Sequence, residues 1–62
     1  MPYLFRNNKI EYEGTRKQII FYIKQAYEDD YWVQEYWDQL DKDYGKLKFV
    51  LENLGLCLRH KK

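Results

Sequence analysis

The chain has 62 residues, with 11 Lys and Arg against 10 Asp and Glu and a net charge of +1. So short a chain makes one small domain, residues 1–62, and its charge balance is too even for a protein that holds DNA mainly by electrostatics. An apolar fraction of 45%, including 19% aromatic residues, argues against a disordered chain despite 34% charge, because the rings supply large areas to bury.

The first element is a hairpin, YLFRNNKIEY, with Asn7 and Asn8 as its two-residue turn, since asparagine tolerates positive φ. In-register pairing sets Arg6 opposite Lys9, Phe5 opposite Ile10, Leu4 opposite Glu11 and Tyr3 opposite Tyr12. Alternation then predicts a packed face of Tyr3, Phe5, Ile10 and Tyr12 and a wet face of Leu4, Arg6, Lys9 and Glu11. Gly14 ends the hairpin. Thr15 with Gln18 three residues later reads as a capping box, and Ile19, Ile20, Ile23, Ala26 and Tyr27 recur at helical spacing behind it.

Three adjacent acids, Glu28, Asp29 and Asp30, suit the start of a new helix, with Asp29 or Asp30 as its cap. That helix is predicted over 31–44 with Val33, Trp37, Leu40 and Tyr44 inward, and one continuous helix over 16–44 is the other option. After Gly45, the residues Leu47, Val50, Leu51 and Leu54 form a stripe on a third helix that Gly55 closes. LCLR then alternates as a short strand that would join the hairpin edge. The expectation is an α+β domain: an N-terminal β-hairpin, two or three helices and an optional C-terminal strand.

Chemistry has few candidates. The chain contains no serine, and its one threonine is the predicted cap. The one cysteine, Cys57, has no disulfide partner, and with His60 alone it cannot complete a zinc site, so a buried or half-buried Cys57 and a solvated His60 are expected. Glu35 and Asp38 lie one helical turn apart but have no evident pocket for acid–base work. Asp41, Asp43 and Glu52 match three places of a calcium loop whose fifth place is Gly45, and a helical stripe runs where loop is needed. The expectation is a non-enzyme with no metal and no cofactor. The N-terminal segment lacks a signal-peptide pattern and no apolar run approaches a membrane span, which points to a soluble, cytoplasmic protein without a membrane partner, monomeric or homodimeric.

Charge is segregated. Residues 1–27 hold five basic and two acidic groups, 28–43 one and seven, and 44–62 five and one, giving +3, −6 and +4. Surface ion pairs contribute only about 0 to 1 kcal/mol each, so mutual neutralisation does not by itself explain the concentration. Acids interleaved with Tyr and Trp fit a surface that grips a larger protein with a basic surface or groove. The candidate contact residues are Asp29, Asp30, Tyr31, Trp32, Glu35, Asp38 and Asp41. The opposing reading is a small DNA-binding transcriptional regulator that uses Arg16, Lys17, Lys24, Lys46, Lys48, Arg59 and Lys61 against phosphate.

The opening YLFRNNKIEYEGTRKQIIFYI resembles the start of many short proteins encoded by phages and mobile elements of Gram-positive bacteria, in which a hairpin ends in EGT or a similar turn and leads into a helix. The acidic, Tyr- and Trp-rich segment after it is similar in character to small anti-CRISPR and other anti-defence proteins, some of which imitate DNA. The resemblance implies an inhibitor acting in the host cytoplasm on a nucleic-acid-handling protein. At a net charge of +1 it implies a local acidic patch and not mimicry by the whole molecule.

Overall fold

A computed structural model describes residues 1–61. The fold is α+β, in the order β1 (Tyr3–Arg6), β2 (Lys9–Glu13), α1 (Arg16–Ala26), α2 (Tyr31–Glu35), a single 3-10 turn (Trp37–Gln39), α3 (Tyr44–Leu54) and β3 (Leu56–Arg59). The hairpin closes as expected through Asn7 and Asn8, both at positive φ. β3 returns antiparallel to β1 and not to β2, so the sheet order is β2-β1-β3 and the first strand is central.

Each helix starts where a side chain satisfies its free amides. Thr15 and Gln18 form the full capping box of α1, Asp30 accepts from the Trp32 and Val33 amides, and Asp43 accepts from those of Gly45 and Lys46. Such caps are each worth about 1 kcal/mol. Gly55 ends α3 at φ 77, a conformation that favours glycine. One core results, built on Leu4, the α1 residues Ile19, Ile20 and Ile23, Val33 and Leu40, the α3 residues Leu47, Val50 and Leu51, and Leu56.

The hairpin departs from the expected faces at Leu4 and Ile10, whereas Tyr12 packs on the core side as expected. Leu4 is fully buried in the core, whereas Ile10 is 39% exposed. The pairing begins as expected, Arg6 with Lys9 and Phe5 with Ile10, but a β-bulge then sets Leu4 opposite Tyr12 and Tyr3 opposite Glu13. Glu11 is the extra residue. A bulge re-aims side chains, and this one turns both Glu11 and Tyr12 toward α1, where Tyr12 stacks on Tyr22 at 4.5 Å. β3 reinforces the choice, because Leu58 pairs with Leu4 and Leu56 with Arg6, and these leucines pack on the helices. Tyr3, Phe5, Ile10 and Cys57 are left on the outer face. Phe5 is nonetheless buried there, beneath the Arg59 guanidinium 4.6 Å from its ring centre.

The expected helix over 31–44 is broken, and so is the continuous helix over 16–44. α1 ends at Ala26 with Tyr27 as its C-cap, and α2 ends at Glu35 with Tyr36 at φ −112. The 3-10 turn and a loop follow, and Asp43 begins α3 afresh at Tyr44. Val33 and Leu40 are buried as expected, but the interruption rotates Trp37 and Tyr44 outward to 38% and 40% exposure. Ala26 is likewise exposed, and Tyr27 is half-buried. Cys57 is exposed, against the expectation of a buried or half-buried thiol, because alternation in β3 sends Leu56 and Leu58 inward and Cys57 outward.

Candidate functional site

The acidic segment runs over residues 28–43, where α2 and the 3-10 turn carry the rings and carboxylates. Several of the acids there have structural duties. Asp30 spends its carboxylate on the α2 cap, and Asp41 pairs with Lys24 at 2.8 Å. Asp43, the last acid of the segment, caps α3. Trp32 is half-buried among Tyr31 at 5.0 Å, Phe49 at 5.3 Å and Tyr36 at 6.3 Å, so it acts as the hinge of an aromatic cluster. Phe49 completes that cluster from α3 and could not be assigned to it from spacing, since the contact is between elements.

What remains of the acidic set is smaller and fully available. Glu28, Asp29, Glu35 and Asp38 are all exposed, and among the described residues none of them is in an ion pair. Tyr31, in the same stretch of chain, has 64% of its surface exposed. Glu28, outside the seven contact residues expected from sequence, belongs to this patch by exposure. Its backbone carbonyl accepts from the side-chain amide of Gln34 at 3.0 Å, which ties the α1–α2 connection to α2.

The basic residues do not form one patch. Arg16, Lys17 and Lys24 line an open groove of about 740 Å³ along α1, together with Ile20, Phe21, Asp41 and Lys42. Lys46 lies over the Tyr36 ring and Lys48 over that of Tyr44. Arg59 is on the opposite side of the sheet, where it covers Phe5 and donates to Asn8 at 3.3 Å. Lys61 is exposed at the end of the described chain. Sequence reasoning missed Lys42 and Phe21 as groove residues. Phe21 carried a signal, because it is a large apolar side chain off the buried stripe of α1, where an exposed ring calls for a reason.

The most perturbed titratable groups are elsewhere, on the inner face of the sheet. Arg6 Nε donates to Glu11 Oε1 at 2.8 Å, and the Tyr22 hydroxyl donates to Glu11 Oε2 at 2.9 Å. Arg6 also donates to the Tyr27 hydroxyl, which in turn donates to Glu11. Burial pushes the Glu11 carboxyl up, but the donors Tyr27, Arg6 and Tyr22 together outweigh burial and leave it below its ordinary value. Burial first, and then the bond to Glu11, push the Tyr22 phenol up to about 12 and raise that of Tyr27. The Glu11 bond, followed by that to Tyr27, raises the Arg6 guanidinium. Linking Arg6 and Glu11 to Tyr22 and Tyr27, this network joins the hairpin to α1.

Cys57 and His60 are both exposed. Among the described residues, no group of three His, Cys, Asp or Glu side chains is arranged to hold a metal ion. No helix of the described chain is long and apolar enough to cross a membrane. No protein-family model matches the chain, and comparison with curated proteins and with solved structures finds no match.

Proposed function

We propose that this chain is a small non-catalytic protein-binding module that inhibits a larger, nucleic-acid-handling host protein by occupying its basic surface. The observation that carries this reading is the set of four exposed carboxylates, Glu28, Asp29, Glu35 and Asp38, that cap no helix and form no ion pair among the described residues, grouped with the exposed ring of Tyr31. Acids needed for folding are spent in the structure, as Asp30, Asp41 and Asp43 are. These four are not. Complementary charge accelerates encounter and fixes orientation, and an amphipathic ring within the patch supplies the apolar anchor that charge alone lacks. A protein whose natural ligand is a phosphate backbone presents the cationic surface such a patch fits.

The reading is tested by charge reversal. Glu35→Lys with Asp38→Lys changes two exposed side chains, so helical circular dichroism should be unaltered. Captured from bacterial lysate under the same conditions, the discrete protein bound by the unmodified chain should bind the double variant about tenfold more weakly or worse. Equal capture by both would remove this surface from consideration.

A further inference from the structure

We infer that the groove along α1 is a separate binding site for single-stranded nucleic acid. Its floor is Ile20 and its lip is Phe21, a ring with 64% of its surface in solvent. Arg16, Lys17 and Lys24 come from α1, and Lys42 faces them from the turn before α3. Within this ring of charge the one acid, Asp41, is held by Lys24 at 2.8 Å. Arg16, Lys17 and Lys42 make no ion pair among the described residues, so three positive charges face the groove uncompensated.

Rings accompany the cations. The Arg16 guanidinium sits 4.7 Å from the centre of Tyr44, and the Lys24 ammonium 5.1 Å from that of Trp37. Both rings keep about two fifths of their surface exposed, 40% and 38%. Those two rings hold the cations from behind, while Phe21 is the ring in the groove lining itself, and a basic groove with one exposed ring suits a ligand that offers both phosphate and unstacked bases. A run of acidic side chains answers the charge and leaves the exposed Phe21 ring without a counterpart. A duplex keeps its bases inside the stack, and a body of that width would also bring phosphate toward Glu35 and Asp38, the exposed acids on either side of Trp37 in the chain. A single strand avoids both difficulties. The cations and the ring that form the groove are separate from the acidic patch, and the substitutions that test the groove, Phe21→Ala and Lys17→Glu with Lys42→Glu, leave the patch unchanged.

The experiment is fluorescence anisotropy of the full chain with a labelled oligothymidine of about twenty nucleotides, beside a duplex of equal length. Three cations on phosphate should give about a twentyfold loss of affinity between about 50 and 200 mM salt. Phe21→Ala should weaken binding at least about fivefold through lost stacking, and Lys17→Glu with Lys42→Glu should abolish it. Those residues are largely exposed, so the variants should keep the fold, and Glu35→Lys with Asp38→Lys should bind at least as well as the unmodified chain. Absence of binding at low salt, equal or tighter binding of the duplex, or unchanged affinity of Phe21→Ala would overturn the inference. So would displacement by polyglutamate as effective as by unlabelled oligothymidine, or salt-dependent self-association in place of oligonucleotide binding.

Discussion

Glu11 shows how one residue can decide the orientation of a sheet. As the bulged residue of β2 it lies on the face of Leu4 and Arg6, where its carboxylate receives donors from Arg6, Tyr22 and Tyr27. Because its folded pKa is lowered, the stability it contributes is fully present above its ordinary value of 4.5 and is lost as pH falls through the folded value. Glu11→Gln should cost about 2 kcal/mol near neutrality, the loss associated with hydrogen bonds to a charged group. The difference between variant and parent should shrink as pH falls below the ordinary value of 4.5 in denaturant titrations. Tyr22 acts at the other end of the scale. Its raised pKa makes its contribution complete below pH 10 and lost as pH climbs toward about 12. Leu4 and Ile10 test the face assignment directly: Leu4→Ala should cost about 3 kcal/mol and Ile10→Ala less than about 1. With total stability of about 3 to 9 kcal/mol for a chain of this length, the first variant should lose about a third or more of it, a shift read directly in denaturant unfolding. Equal losses would contradict the bulged register.

The starts of α1 and α2 and the end of α3 were the most legible features, whereas Gly45, expected to break the chain, lies inside α3. The capping box of Thr15 and Gln18, the Asp30 cap and the Gly55 stop are local devices, written in a few consecutive residues and formed as those residues demand. The break after Glu35 was not legible, because nothing between Tyr31 and Tyr44 is a glycine or proline. It follows instead from two competing starts. Asp30 caps one short helix, Asp43 caps another, and the connection must deliver both Val33 and Leu40 to the same core. Asp30→Ala and Asp43→Ala should each cost about 1 kcal/mol in thermal or denaturant unfolding, and additively, since the caps serve different helices. A negligible loss at either position would mean that packing alone sets that helix start. The hairpin turn was legible for the same local reason as the caps, whereas its register was not, since the bulge answers to α1 and β3 across the sheet.

For the whole molecule, the charge segregated along the sequence is only partly free at the surface, and it is redistributed by packing. The acidic segment proved less free than its composition implied, with Asp30, Asp41 and Asp43 used in caps and a pair, while Glu28, Asp29, Glu35 and Asp38 stayed available. The basic residues divided as well, into the α1 groove and positions scattered over α3 and the outer sheet face. Sequence separates charges along the chain, but only packing decides which share a face, and that is why the candidate sites were legible as composition and not as geometry. The central claim is direct contact with a protein, and capture from bacterial lysate at moderate salt, with and without nuclease treatment, tests it most directly. The acidic-patch account predicts the same discrete protein in both samples. A protein present only before nuclease treatment would show that nucleic acid carries the contact, and the acidic patch would lose its assigned role.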